Sequence, residues 1–77
     1  MRMDSEFLHE YTLLGLNIVY YRKQKGYSQA ELAKLLGVNP RHISRVENAK
    51  CDISLHLLND MANLFGIPLA KLFEFED

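Results

Sequence analysis

The sequence predicts an all-α protein, a compact bundle of five helices, and three observations carry that expectation. Apolar residues recur at spacings of three and four almost throughout, with no sustained period of two. Capping residues and glycine stops cut this pattern into five runs. The stretches between the runs are short, and short connections force neighbouring helices to pack on one another. A length of 77 residues allows one domain and no second one. The expected organisation is a single domain over 1–77, with a core over 12–74 and an N-terminal helical extension over 5–13.

The first helix is expected to start near Ser5 or Glu6 and to run to Lys25, with Leu14, Ile18 and Tyr21 on its inner stripe and Gly26 beyond its end. Ser28 opens the second. Ser28-Gln29-Ala30-Glu31 has capping-box spacing, in which hydroxyl and carboxylate each satisfy a free backbone N–H. Its expected core face is Ala30, Leu32 or Ala33, and Leu36, and Gly37 ends it. Asn39 followed by Pro40 is a cap with proline at the first helical position, where the missing N–H costs nothing. The third helix therefore spans about 40–47, and Asn48-Ala49-Lys50 leads out of it. A fourth is capped by Ser54, turns Leu55, Leu58, Met61, Ala62 and Phe65 inward, and stops at Gly66. Near Pro68 a fifth short helix returns Leu69, Leu72 and Phe73 to the core.

Composition excludes several classes. Hydrophobic residues make up 48% and charged residues 25%, which is ordinary for a globular domain and foreign to a disordered chain. Cys51 is the single cysteine, so there is no intrachain disulfide framework. The first residues are acidic and lack the apolar run of a signal peptide, and no stretch is apolar enough for a membrane span. A cytoplasmic protein is expected.

The formal net charge of −1 argues against a nucleic-acid binder until it is resolved along the chain. Residues 1–21 carry one base against three acids, residues 22–50 seven against two, and residues 51–77 one against five. The local sums are −2, +5 and −4. Counterion release depends on the local patch, so the basic middle is an electrostatic footprint for a polyanion.

The second and third helices, joined by Leu36-Gly37-Val38-Asn39, describe a helix-turn-helix. From Leu14 to Phe73 the chain resembles the phage-repressor-like helix-turn-helix family, also called the Cro/CI or xenobiotic-response-element type. The matching residues are Leu14-Gly15, Ile18, Tyr21-Arg22, Gly26, Ser28-Gln29, Leu32-Ala33, Gly37-Val38, Ile43-Ser44, Glu47-Asn48, Leu57-Leu58, Ala62, Phe65-Gly66-Ile67 and Leu72-Phe73. The resemblance implies a lambda-repressor-like DNA-binding domain. It also implies a transcriptional regulator whose third helix enters the major groove, usually as a homodimer on a two-fold operator.

At 100° per residue, Ile43, Val46 and Glu47 point to one side of the third helix and Arg41, Ser44 and Arg45 to the other, with His42 at the edge. Arg41 and Arg45 lie one turn apart, and each guanidinium can bond guanine O6 and N7 in bidentate fashion. Family members often carry Gln at the position of Pro40, which here offers only apolar contact, so more of the reading falls on Arg41. Gln29, in the first turn of the second helix, is expected to face outward and hold a phosphate at the positive end of the helix dipole. Asn48 and Lys50 match family positions that grip the backbone on the other flank. The candidate DNA contacts are therefore Gln29, Asn39, Pro40, Arg41, His42, Ser44, Arg45, Asn48 and Lys50. In similar proteins the positions of Arg22 and Glu47 form a partly buried ion pair between the first and third helices.

Other chemistry is poorly supported. His9, His42, His56 and Cys51 lack the spacing of metal ligands, and His56 with Asp60 has no nucleophile nearby. No enzyme activity, metal or cofactor is expected. Leu16, Val19 and Tyr20, with Phe7, Leu8 and Tyr11, make the first helix apolar nearly all round; either residues 6–13 fold over the core and hide these groups within one copy or, the favoured reading, they belong to a homodimer interface on an unspecified surface. The expected partners are double-stranded DNA and a second copy, with neither a membrane nor a small-molecule effector domain. An alternative is a protein-interaction module, an antitoxin or anti-repressor, with DNA contact secondary or absent.

Overall fold

A computed structural model describes residues 7–75; the proposed helix start at Ser5 or Glu6 lies outside the described residues. Four α-helices follow one another, α1 (Leu8–Gln24), α2 (Gln29–Leu36), α3 (Pro40–Glu47) and α4 (Leu55–Phe65), and a 3-10 helix (Leu69–Phe73) closes the bundle. The expected fifth α-helix is thus replaced by a tighter turn. With three residues per turn, Leu69 and Leu72 fall on one line and Phe73 is rotated off it. Leu72 is fully buried while Phe73 is exposed, against the expectation that both return to the core.

The largest fully buried side chains are Ile18, Leu32, Ile43, Met61 and Leu72, one from each element. One core therefore unites all five. Two inward assignments fail. Ala30 is exposed because α2 turns Leu32 and Ala33 inward together. Leu55 is exposed because it is the first residue of α4 and overhangs the core that Leu57 and Leu58 cover.

The helix ends are built by local chemistry. Ser28 and Glu31 form the reciprocal capping box. The backbone N–H of Ser28, and then its side chain, hold the Glu31 carboxyl below its usual range. That contribution is present above the unfolded-state value of 4.5 and is lost as the pH falls through the lowered folded value. Asn39 and Ser54 cap α3 and α4 through their side-chain oxygens.

All four helices end in the same closure, in which an N–H reaches back five residues: Tyr27 to Arg22, Val38 to Ala33, Lys50 to Arg45 and Ile67 to Ala62. Three of these carry glycine at the left-handed position. At the end of α3 it is Ala49, with φ of 56°. An L-residue there costs about 1–2 kcal/mol. Burial of the Ala49 methyl offsets part of that cost.

Two contacts fix how α1 lies. A Cβ on Gly15 would run into the carbonyl oxygen of Glu47, so the absence of a side chain lets α1 approach the end of α3. Asn17 donates through Nδ2 to the carbonyls of Leu72 (2.9 Å) and Glu74 (3.1 Å), tying the C-terminal segment to α1.

Candidate nucleic-acid interface

The helix-turn-helix presents α3 with its two sides sharply divided. Ile43, Val46 and Glu47 are buried, whereas Pro40, Arg41 and Arg45 are exposed. The apolar anchor leaves the opposite side free for contact without unfolding anything. Asn39 stands at the N-terminal edge of this surface and caps the helix by accepting from the Arg41 N–H at 2.8 Å. Asn48 and Lys50 are exposed at its C-terminal edge. Ser44 is half-buried, and its carbonyl accepts from Asn48 Nδ2 at 2.8 Å.

The two arginines differ in freedom. Arg45 donates through Nη2 to the Lys50 carbonyl at 3.1 Å, across the closure that Ala49 makes possible. Its guanidinium is held in place with other N–H groups to spare. Among the described residues Arg41 finds no such tether. His42 is half-buried, with Nδ1 4.0 Å from Cys51 Sγ, so it faces the loop after α3 as well as the open surface.

Behind this surface lies a polar cluster that joins three helices. Arg22 donates through Nε to Glu47 Oε2 at 2.6 Å and through Nη2 to Oε1 at 3.2 Å, with both residues buried. Arg22 Nη1 also donates to the Tyr27 carbonyl at 2.8 Å. Gln29 completes the cluster by donating from Nε2 to Glu47 Oε1 at 2.8 Å. The Gln29 side chain is therefore half-buried and turned inward, which corrects the expectation that it faces outward. A buried carboxylate with unused lone pairs attracts the nearest amide donor. The backbone N–H of Gln29 remains in the first turn of α2, where N–H groups lack an intrahelical acceptor.

Sequence reasoning missed three features: the Gln29 link to Glu47, the contact of Gly15 with the Glu47 carbonyl, and the left-handed Ala49. The first two had no local signal, since the partners lie 18 and 32 residues apart. The third could have been sought in the absence of glycine after Glu47.

His56 and Asp60 form an exposed pair at 3.4 Å. Among the described residues no group of three or more His, Cys, Asp or Glu is placed to hold a metal ion, and no helix is long and apolar enough to cross a membrane.

Comparison with known proteins agrees with this geometry. A family model described as helix-turn-helix matches residues 18–72. An uncharacterised helix-turn-helix-type transcriptional regulator of Methanocaldococcus jannaschii is 40% identical over 58 residues, covering 75% of this chain and 88% of the relative. The helix-turn-helix-type transcriptional regulator SinR of Bacillus subtilis is 32% identical over 63 residues, and there the chain spans only 57% of the relative. Among solved structures, the restriction-modification controller protein C.AhdI of Aeromonas hydrophila superposes with a TM-score of 0.80 at 28% identity, covering 84% of this chain and 98% of that one. A structure of SinR, a master regulator for biofilm formation, in complex with DNA gives a TM-score of 0.72 at 32% identity, covering 79% of this chain and 98% of that one.

Proposed function

The chain belongs to the helix-turn-helix family, and from that premise we propose that this DNA-binding transcriptional regulator is a sequence-specific repressor that occupies a two-fold operator through the major groove. The observation that carries the reading is the division of α3, with Ile43 and Val46 anchored in the core and Arg41 and Arg45 exposed on the other side. Arg41 and Arg45 read bases, with Pro40, Ser44 and His42 beside them. The first-turn N–H of Gln29 on one flank and Asn48 and Lys50 on the other grip phosphates and set the register. Asn39 acts by fixing the start of α3. Arg22 and Glu47, with the Gln29 amide, hold the angle between the helices and stay off the DNA. The protein works in the cytoplasm as a homodimer on double-stranded DNA.

Selection of bound duplexes from a random pool tests this reading. A palindromic consensus is the expected result, because a two-fold dimer reads two half-sites. Affinity for that consensus should fall with salt at a logarithmic slope of about −0.9 per phosphate contact. An unselected pool with salt-insensitive retention of a protein partner would overturn the proposal in favour of an interaction module.

A further inference from the structure

The leading turn of α3 has no backbone donor left to offer. Pro40, its first residue, lacks an N–H. The Arg41 N–H is engaged by the Asn39 side-chain oxygen at 2.8 Å, and the N–H groups of His42 and Ile43 are engaged by the Asn39 carbonyl at 2.9 and 3.4 Å. The Gln29 amide, in the first turn of α2, is turned away onto Glu47. What remains at this end of the helix is the pyrrolidine ring of Pro40, exposed beside Arg41 and one turn before the half-buried Ser44. From this arrangement we propose that Pro40 is a specificity-determining residue, a subsite for the C5 methyl group of a pyrimidine beside the base that Arg41 reads. Thymine and 5-methylcytosine both carry that group. The assignment rests on the major-groove reading above and gives one position of the operator a chemical identity.

Three arguments select a methyl group. The first is what the bases show. In the major groove every base edge presents hydrogen-bond donors and acceptors, and the C5 methyl is the one apolar group among them. A ring without polar atoms cannot pair with a donor or an acceptor, and covering either one costs its hydration. Helix carbonyls point toward the C-terminal end, so this turn supplies no acceptor in compensation. The second argument is place. The first residues of a recognition helix are those that approach base edges. Pro40 is held there by the Asn39 cap in front and by the buried Ile43 and Val46 behind. The third is rigidity. The ring fixes its own φ and loses almost no side-chain freedom when it is covered, so a contact as small as one methyl is not cancelled by ordering.

Burial of one methyl group is worth about fourfold in affinity, and about fifteenfold when both halves of a two-fold site carry it. Deoxyuridine differs from thymidine by that methyl alone. Each thymine of the selected consensus is replaced in turn, in symmetric pairs, and binding is measured by competition at fixed salt. At one symmetric pair the parent protein should bind the deoxyuridine duplex about fifteenfold more weakly. Pro40→Ser, confirmed as folded by circular dichroism, should bind the two duplexes alike. Duplexes with 5-methylcytosine or cytosine at the same pair separate the two sources of the methyl, and the parent should favour the methylated one by a similar ratio. A preference for thymine over deoxyuridine without one for 5-methylcytosine over cytosine would keep the subsite and restrict it to thymine. A consensus without thymine, equal binding of thymine and deoxyuridine duplexes at every pair, or a folded Pro40→Ser protein with the parent's preference would overturn the subsite. In each of those cases a palindromic consensus with steep salt dependence leaves the DNA reading standing, whereas a pool that yields no consensus sinks both.

Discussion

α3 and α1 divide their surfaces in opposite ways. In α3, eight residues separate cleanly into a buried side of Ile43, Val46 and Glu47 and an exposed polar side that holds both arginines. In α1, seventeen residues bury Leu14, Gly15, Ile18 and Arg22 yet leave Leu16 and Tyr20 more than half exposed. The strongly polar helix is thus anchored by a few apolar side chains, while the apolar helix carries a buried arginine and shows hydrophobic groups to solvent. The contrast teaches that an exposed side chain is informative when it departs from what its helix pattern alone would place outside. The exposed guanidiniums of α3 follow from its pattern, and it is their charge, not their exposure, that points to a polyanion. The uncovered apolar groups around α1 do not follow from theirs, and point to another surface.

The sharpest way to break this comparison is at the cluster where the two helices meet. Glu47→Ala leaves the Arg22 guanidinium buried without its carboxylate and takes the acceptor from Gln29. Loss of one partner from a buried pair costs about 3–5 kcal/mol, which urea unfolding would read directly. An unchanged midpoint would mean that Arg22 finds water or another acceptor, and that α1 and α3 are joined by packing alone.

The next effect is on recognition. Arg45→Ala should leave the unfolding midpoint close to that of the parent, because the residue is exposed. It should also weaken binding to the selected consensus by about 1–3 kcal/mol relative to random duplex, as measured by competition at fixed salt. Equal weakening on both duplexes would make Arg45 a phosphate contact held by the Lys50 carbonyl, and would leave Arg41 as the reader. The smallest effect is expected on the outer face of α1. Leu16→Gln should change stability by no more than about 0.5 kcal/mol in the same unfolding assay, because Leu16 is already 58% exposed. A larger loss would show that this face is covered in solution.

Much of the molecule was legible before any fold was known. Ser28, Asn39 and Ser54 announce the starts of α2, α3 and α4, and each caps its helix through its side chain. Pro40 and the exposed arginines of α3 were equally readable, because their placement follows from an eight-residue run with a clear apolar side. Gln29 was misread as facing outward for a physical reason. Its position in the first turn of α2 says nothing about a carboxylate 18 residues later that needs a donor. Leu55 and Phe73 were misread because helical spacing gives direction, not depth. Leu55 begins its helix beyond the edge of the core, and the last turn winds as a 3-10 helix.

By itself, then, the sequence determined where α2, α3 and α4 begin and end and which side of α3 is polar, since caps, stops and periodicity act within a turn or two of chain. It also determined the basic middle between acidic ends. Only the tertiary structure decided that Gly15 admits the Glu47 carbonyl, that Arg22, Glu47 and Gln29 share one buried cluster, and that the faces around Phe7, Leu55 and Phe73 lie open. Burial is a property of segments that meet across the fold, and no local pattern reports which of several apolar faces finds a partner within one copy of the chain.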